Sequence, residues 1–422
     1  MTGKCKAAVY SSLQETEKSD MIARIEIWKT KKGKTMTEKI YYSDVYCKEF
    51  SAVVLDCRER KNGYEVVLDR TAFYPEGGGQ PGDRGCFLAE DKKEIRVYDT
   101  HEKGEEILHY TEEYLEPGTK ITGRIDWDFR FDLMQNHSGE HIVSGLIHER
   151  FGYQNVGFHM GSDVLTIDLD GEFSVEEMRE FERRANEIIW ENRPVDIRVY
   201  TEEEVKAVEY RSKKELHGQV RIVTFPGADT CACCGTHVSH TGEIGLIKLI
   251  SLQKFKGGVR MEMLCGRRAL EYVNRICEQN HQISVALSAK PEETAAAVQR
   301  LKEMEMKDSF RLVALENEMF ARKAESLKDC GDILLFEDGL NSDSVRKLAV
   351  AVMEVCGGRC AVFSGDEETG YKYALGKKDG DLRAFVKEMN SSLNGRGGGK
   401  PFFAQGSVNA KRKEIEAFFN KK

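Results

Sequence analysis

The sequence contains no run of about 18 consecutive apolar residues, which excludes an ordinary membrane-spanning helix. Its first twenty residues, MTGKCKAAVYSSLQETEKSD, lack the apolar segment of a secretory signal peptide. The 12 cysteines are scattered along the chain, and no small disulfide-rich domain can be recognised. These absences predict a cytoplasmic protein with no membrane partner, in which the cysteines are free thiols or metal ligands.

The sequence also lacks an excess of positive charge, because its formal net charge is −8 at pH 7. Phosphate binding relies on Lys and Arg, so the overall charge argues mildly against a nucleic-acid partner. The exception is the C-terminal stretch NGRGGGKPFFAQGSVNAKRKEIEAFFNKK, in which Lys and Arg outnumber Glu. This stretch predicts a local basic surface on an acidic protein.

Several kinds of pattern follow one another along the 422 residues. The β-branched segments SAVVLDC, YEVVLD, EIRVYD and KITGRID alternate with turn sequences and predict a small β-barrel or sandwich. Helical spacing in NHSGEHIVSGLIHERFG, a capping box from Ser174 to Glu177, and the strands PVDIRVY and QVRIVTF predict an α+β unit. Charged helical sequence comes next, and alternating strands and helices predict an α/β unit at the end.

These patterns predict the fold class α+β, with five segments. The residues before Met36 are polar and have no periodicity, so we expect them to form no part of the core. The segments are an N-terminal extension (1–35), a β-barrel domain with a Gly-rich motif (36–125), a zinc-binding α+β domain (126–266), a helical or coiled-coil arm (267–328) and a C-terminal α/β domain (329–422).

Two pairs of candidate metal ligands have the same four-residue spacing. NHSGEH places His137 and His141 on one face of a predicted helix. CCGTH places Cys233 and His237 four residues apart in a predicted strand-to-loop segment. Three imidazoles and one thiolate suit Zn²⁺, and we expect one zinc ion per chain.

Other interpretations of the same residues remain open. The two histidines of NHSGEH could be ordinary helix residues, and Cys231 or Cys234 could replace Cys233 as a ligand. HSGEH also matches the H-x-x-E-H motif of inverted zinc peptidases, in which Glu140 would be the general base. The peptidase interpretation needs a downstream carboxylate ligand and leaves CCGTH without a role.

Four segments, in this order, resemble one family. The segments TAFYPEGGGQPGDRG (71–85), NHSGEHI (136–142) and CCGTHV (233–238) resemble the editing module of alanyl-tRNA synthetases. NGRGGGKPFFAQGSV (394–408) resembles the Gly-rich signature of the DHH-associated domain at the C-terminus of those synthetases. An aminoacylation domain would need hundreds of residues before Met36. The chain is therefore similar to the free-standing alanyl-tRNA editing proteins, AlaX, of the long type.

The resemblance implies hydrolysis of the ester that joins a wrong amino acid to tRNA(Ala), chiefly serine, with glycine as a second candidate. It also implies that zinc is held by His137, His141, Cys233 and His237. The family usually reads C-G-G-T-H where this chain has CCGTH. The expected partner is mischarged tRNA(Ala), and the C-terminal region is a candidate homodimer contact. A tRNA-binding protein with a structural zinc and no turnover is the second function class.

Further residues are candidates for substrate contacts. Many relatives carry a small residue, typically Thr, where this chain has Glu140. The Gly-rich motif is either a tight turn or part of the site for the tRNA acceptor end, and GRGGGKP is either a flexible loop or a ribose-phosphate contact. The candidates are Glu140, Gln135, Asn155 and His159 for the substrate pocket, Gly77, Gly78, Gly79 and Gln80 in the Gly-rich motif, and Arg396, Gly397, Gly398, Gly399 and Lys400 for tRNA.

Overall fold

The computed structural model describes residues 37–90, 93–212 and 218–421, and the predicted extension (1–35) lies outside these residues. The chain forms two compact units, divided between Gln279 and Asn280. Both units combine helices with sheets, which confirms the predicted α+β class. None of the described helices is long and apolar enough to cross a membrane.

The helices and strands are numbered here in chain order. The described α-helices are α1 (Ile40–Ser43), α2 (Trp127–Phe151), α3 (Val175–Trp190), α4 (Gly266–Leu287), α5 (Thr294–Ser326), α6 (Ser342–Val355), α7 (Arg383–Ser392) and α8 (Arg412–Asn420). The described strands are β1 (Glu38–Lys39), β2 (Glu49–Arg60), β3 (Gly63–Leu68), β4 (Arg70–Thr71), β5 (Gly85–Ala89), β6 (Glu94–Lys103), β7 (Glu106–Thr111), β8 (Lys120–Ile125), β9 (Asn155–Met160), β10 (Leu165–Leu169), β11 (Asp196–Tyr200), β12 (Val220–Phe225), β13 (Asp229–Ala232), β14 (Ile247–Phe255), β15 (Gly258–Cys265), β16 (Gly331–Phe336), β17 (Gly357–Asp366), β18 (Gly370–Lys377), β19 (Gly395–Lys400) and β20 (Phe403–Val408).

The first part of the N-terminal unit is a closed six-stranded barrel, which confirms the predicted small barrel. Its strands pair in the order β2, β3, β7, β6, β5 and β8. Alternate residues of the strands face inward, and Val54, Val66, Phe87 and Val97 are fully buried. Between β4 and β5 the chain leaves the barrel through residues 72–84, which contain the Gly-rich motif.

The barrel packs against α2 through a buried ion pair. The Arg130 guanidinium lies on the Asp83 carboxylate, and both side chains are completely buried. Nε of Arg130 lies 2.8 Å from both carboxylate oxygens, and Nη2 donates to the Ala72 carbonyl at 2.6 Å. Asp83 also accepts from the Tyr74 backbone N–H at 2.6 Å. This pair fixes the Gly-rich segment against the helix that carries the candidate histidines.

The rest of the N-terminal unit surrounds α2 with two sheets. One has the strand order β14, β15, β10, β9, and the other has the order β11, β12, β13. The predicted helix end is confirmed by Gly152, which has the left-handed φ of 74° that glycine favours at this position. The predicted capping box at the start of α3 is confirmed as well, because Ser174 and Glu177 bond reciprocally.

The second unit contains a five-stranded sheet in the order β16, β17, β18, β20, β19. Helices α6 and α7 bury apolar side chains, among them Leu348, Val352 and Met389. GRGGGK forms the edge strand β19 and is not a loop. A Cβ on Gly397 would come within 2.3 Å of the Tyr373 hydroxyl, so close packing against β18 requires glycine at this position.

Candidate metal centre

The two histidines of NHSGEH lie in the most deeply buried part of α2, since every residue from 136 to 147 is buried. One helical turn separates His137 from His141, and their ring centroids are 5.2 Å apart. The second pair of candidate ligands, Cys233 and His237, lies in the loop after β13. We call this loop, residues 233–237, the ligand loop.

The structure brings the four candidate ligands together. One donor atom from each of His137, His141, Cys233 and His237 lies within 4.8 Å of the others. Cys233 Sγ is 3.5 Å from His137 Nε2 and 3.4 Å from His237 Nε2. A Cβ on Gly235 would lie 2.1 Å from His137 Cε1, so the ligand loop can approach this imidazole only with glycine at 235.

Gln80 of the Gly-rich motif holds the outer nitrogen of His137. Its side chain is fully buried, and its Oε1 lies 3.0 Å from His137 Nδ1. The same oxygen accepts from the Thr236 backbone N–H at 3.0 Å, while Gln80 Nε2 donates to the Thr236 hydroxyl at 2.8 Å. Because Oε1 is an acceptor, Nδ1 of His137 carries the proton and Nε2 presents its lone pair to the cluster.

Asp229 holds the outer nitrogen of His141 in the same way. Its Oδ2 lies 2.8 Å from His141 Nδ1, and an ionised carboxylate can only accept, so Nδ1 donates. Arg211 in turn clamps Asp229 with two bonds, from Nε at 2.7 Å and from Nη2 at 2.8 Å. Such carboxylate–histidine contacts orient the metal ligands of proteins.

The third imidazole, His237, has the Ser138 hydroxyl 3.3 Å from its Nδ1. All three rings therefore have a polar partner on Nδ1, while Nε2 of His137 and of His237 faces Cys233 Sγ. Burial lowers the pKa of His237 well below its usual range. The ring of His237 is therefore neutral, which is the form that binds a metal.

The electrostatics of the cluster favour a thiolate. Burial alone would raise the pKa of the Cys233 thiol, but the three imidazoles, beginning with His137, hold it well below its usual range. Burial would likewise lower the pKa of His141, but Cys233 and Asp229 raise it well above its usual range. One thiolate and three imidazole nitrogens match the ligands that Zn²⁺ takes, so the residues fit a bound metal ion.

The neighbouring cysteines occupy different environments. Cys234 is exposed, whereas Cys231 is buried and lies within 4.8 Å of donor atoms of His141 and Asp229. Cys231 therefore belongs to a second group, with His141 and Asp229, in which Asp229 already contacts Nδ1 of His141. The donors that join the two histidines in the four-residue cluster are Cys233 and His237, and not the carboxylate that a peptidase site requires.

The four pocket candidates have different surroundings. Glu140 is buried and accepts from Ser144 Oγ at 2.6 Å and from Asn155 Nδ2 at 2.5 Å. Asn155 also lines a cleft of about 570 Å³ together with Arg211. Gln135 instead donates to the Glu243 carbonyl at 2.8 Å, and His159 lies exposed on β9. The structure thus joins Glu140 to Asn155 and leaves the other two candidates outside this pair.

The Gly-rich motif forms a tight turn whose last residue reaches the centre. The backbones of Gly77 and Gln80 exchange two hydrogen bonds of 3.0 Å, and Gly78 and Gly79 have φ values of 62° and 87°. Phe158 packs between this turn and the cluster, with its ring stacked on His137 at a centroid distance of 5.5 Å. The motif therefore combines a turn with a contact to a candidate ligand.

The tRNA candidates lie in the second unit. Gly397, Gly398, Gly399 and Lys400 line a cleft of about 490 Å³ together with Arg383 and Lys387 of α7. Arg396 is exposed on the same strand but does not line the cleft. The cleft combines approachable backbone with cationic side chains, the groups that contact ribose and phosphate.

Changing Asp229 to asparagine should lower the affinity for Zn²⁺ about 10- to 100-fold, because His141 Nδ1 would face a neutral amide instead of the charged carboxylate that fixes its ring and tautomer. Competition with a chromophoric chelator measures this change directly. Asp196→Asn is a matched control, because Asp196 lies on strand β11 of the same sheet and its carboxylate pairs with Arg198. Equal zinc affinities for wild type and Asp229→Asn would contradict the assigned role.

Three family models match the chain. They describe tRNA synthetases class II (A) over residues 4–129, the threonyl and alanyl tRNA synthetase second additional domain over residues 220–262, and the DHHA1 domain over residues 330–421. The second of these spans Cys233 and His237. The third spans the Gly-rich edge strand, in agreement with the expected C-terminal domain type.

Curated proteins match over most of the chain. Alanyl-tRNA editing protein AlaX-L of Pyrococcus horikoshii is 32% identical, over 90% of this chain and 96% of its own. Alanyl-tRNA editing protein Aarsd1-A of Xenopus laevis is 30% identical, over 90% of this chain and 96% of its own. Alanine–tRNA ligase of Halorubrum lacusprofundi is 31% identical over 88% of this chain, but over only 42% of its own length.

Proposed function

The chain belongs to the family of alanyl-tRNA editing proteins, and we propose from this that it hydrolyses the ester between a wrong amino acid and tRNA(Ala). Serine is the proposed main substrate, with glycine as the second candidate. One zinc ion per chain is held by His137, His141, Cys233 and His237. The protein acts on tRNA that a separate synthetase has mischarged.

The observation that carries this proposal is the buried cluster itself. Nε2 of His137 and of His237 lies within 3.5 Å of Cys233 Sγ, and His141 completes the set within 4.8 Å. Each imidazole has a polar partner on Nδ1. Burying three imidazoles and a thiolate in contact would be unfavourable in an ordinary apolar core, because each buried polar group costs free energy unless it is satisfied.

When bound, Zn²⁺ would lower the pKa of a coordinated water or polarise an ester oxygen. The chain's own residues orient the ligands, since Gln80, Asp229 and Ser138 fix the three rings. Phe158 covers one face of His137 and keeps water from that side. These contacts hold the site in one arrangement before substrate arrives, which is the requirement for electrostatic catalysis.

The pair of Glu140 and Asn155 is proposed to read the amino-acid side chain. Asn155 lines the 570 Å³ cleft, and its Nδ2 donates to the buried carboxylate of Glu140. A site that hydrogen-bonds the serine hydroxyl disfavours alanine, because alanine would leave its buried polar groups unpaired. An apolar pocket, in contrast, rejects an added hydroxyl by only about 100-fold.

A non-catalytic tRNA-binding protein is the second candidate function, and one feature favours it. Four protein ligands complete a tetrahedral shell, as in structural zinc sites, whereas catalytic zinc usually keeps one position open. Release of serine from Ser-tRNA(Ala) at catalytic concentrations of the zinc-loaded protein decides between the two. Multiple turnovers support the editing function, and stoichiometric binding without release would overturn it.

The second unit is proposed to hold the tRNA backbone. A combined Arg396→Ala and Lys400→Ala change should raise the tRNA concentration for half-maximal rate and lower the salt slope of binding by about one for each lost phosphate contact. Single-turnover hydrolysis at saturating enzyme should stay near the wild-type rate. Arg346→Ala with Lys347→Ala is the matched control, because these cations of α6 pair with Asp343. A large drop in the single-turnover rate with unchanged tRNA affinity would defeat this role.

The C-terminal region is also proposed to form a homodimer contact. Helix α5 exposes large apolar side chains, among them Leu301, Phe310, Leu312 and Met319, which are each more than half exposed. Contiguous exposed apolar side chains are typical of association surfaces. Light scattering on the purified chain measures whether two copies associate.

A further inference from the structure

A pair of consecutive tyrosines next to the ligand loop has two different environments. In α1, Tyr41 is 2% exposed, whereas Tyr42 is 43% exposed. The ring of Tyr41 meets the ring of Tyr42 edge-on, at a centroid distance of 4.6 Å, and meets the buried ring of Tyr74 at 5.4 Å. Tyr42 is thus an accessible aromatic ring supported from behind by buried rings.

A single guanidinium connects this exposed ring to the metal centre. Arg221 Cζ lies over the Tyr42 ring, 5.4 Å from its centroid. Nη1 of the same guanidinium donates to the carbonyls of Cys233 at 2.6 Å and of Gly235 at 3.0 Å. The Arg221 side chain is therefore held in place by the backbone of the ligand loop. The Arg221 guanidinium therefore lies between the Tyr42 ring and the backbone of Cys233, which is a proposed zinc ligand.

The surroundings of Tyr42 suit a planar, aromatic ligand. Burial, followed by the neighbouring Cys234, raises the pKa of the Tyr42 phenol to about 12, so the ring carries no charge near neutral pH. The nearby Glu102 carboxylate forms an ion pair with Lys39 at 2.5 Å. Arg221 is a cation beside the ring, and the backbone carbonyls of the ligand loop hold it. A nucleobase needs only a π-face on which to stack, and a neighbouring guanidinium strengthens such stacking.

We propose that Tyr42 is the stacking platform for the 3′-terminal adenine of the aminoacyl-tRNA. The inference rests on the proposed function, because in that substrate the reacting ester is attached to the ribose of the terminal adenosine. The adenine must then lie within one nucleoside of the zinc ligands. The exposed Tyr42 ring is connected to the ligand loop through Arg221, and Arg221 would hold the loop while the base stacks. Tyr42 is a positioning residue, since it touches the base and not the ester.

The test is a double-mutant cycle between the ring and the base. The two probes are RNA hairpins that reproduce the acceptor stem and are not aminoacylated. One has a 3′ CCA end, and the other has an abasic nucleotide at its 3′ end. Fluorescence anisotropy measures the binding of each hairpin. For the wild type, loss of the base should weaken binding about tenfold. For Tyr42→Ala the CCA hairpin should bind about tenfold more weakly, and loss of the base should have no further effect.

Two further variants isolate the aromatic ring. Tyr42→Phe should behave as wild type, and Tyr42→Leu, which keeps an apolar side chain, should behave as Tyr42→Ala. Tyr114→Ala is the matched control, because Tyr114 is another exposed tyrosine of the N-terminal unit (49%), and its ring packs on Tyr64. Zinc content equal to wild type in every variant shows that the metal centre is intact.

The outcomes separate this inference from the proposed function. If loss of the base and loss of the ring weaken binding additively, Tyr42 does not stack on the adenine, even though the wild type releases serine from Ser-tRNA(Ala). If Tyr42→Leu binds the CCA hairpin like wild type, an aromatic platform is likewise excluded. If the wild type releases no serine but the cycle shows coupling, the base site stands and the editing function fails.

Discussion

Changing Cys233 to serine is expected to remove zinc from the purified protein and to abolish release of serine from mischarged tRNA. Cys233 Sγ is the atom on which Nε2 of His137 and of His237 converge. A serine hydroxyl does not ionise near neutral pH and cannot replace the thiolate charge. The loss should exceed the 10- to 100-fold decrease in affinity that is typical for removing an outer partner of a ligand. Metal analysis and chelator competition measure it.

The neighbouring cysteines supply matched controls within four residues. Cys234→Ser should keep full zinc content, because Cys234 is exposed and is not a member of either metal-binding group. Cys231→Ser should also keep its zinc, because Cys231 groups with Asp229 and His141 and is not a member of the four-residue cluster. Equal zinc in wild type and Cys233→Ser would refute the ligand assignment. Loss of zinc from Cys231→Ser alone would favour the C-x-x-C alternative.

Local patterns in the sequence were sufficient to predict much of the fold. The capping box of α3 and the glycine that ends α2 depend on contacts within about four residues, and both are confirmed. The barrel is confirmed as well, because alternation of apolar residues specifies a half-buried strand. The edge strand β19 could not be predicted from such local patterns. Three successive glycines carry no strand signal, and the segment becomes a strand through its pairing with β20.

Part of the candidate site could likewise be predicted from the sequence, and part of it could not. The four-residue spacings within NHSGEH and CCGTH could be read from the sequence because each pair is local. The partners that orient the rings are distant in sequence: Gln80 is 57 residues from His137, and Asp229 is 88 residues from His141. No periodicity marks such pairs. The sequence identifies Gln80 as the last residue of the Gly-rich motif, but its contact with His137 depends on how the barrel packs against α2.

The ion pair that packs the barrel against α2 is expected to contribute strongly to the free energy of unfolding. Changing Asp83 to alanine should destabilise the chain by about 3–5 kcal/mol, because the completely buried Arg130 guanidinium would lose its counter-charge. The Tyr74 backbone N–H would lose its acceptor as well. Urea denaturation measures the change. Asp126→Ala, which removes the exposed partner of Arg84 from the same region and also the N-cap of α2, should cost only about 1–2 kcal/mol.

The companion variants test whether the cost comes from an unpaired buried charge. Asp83→Asn keeps an acceptor for Tyr74 but not the charge, so it should lie between wild type and Asp83→Ala. Replacing both partners, in Asp83→Leu with Arg130→Met, should recover much of the loss, because two apolar side chains leave no charge to be satisfied. Zinc affinity should fall together with stability in Asp83→Ala, since Gln80 and Asp83 lie on the same segment and only Gln80 contacts His137. An Asp83→Ala protein as stable as wild type would show that this ion pair does not hold the barrel on α2.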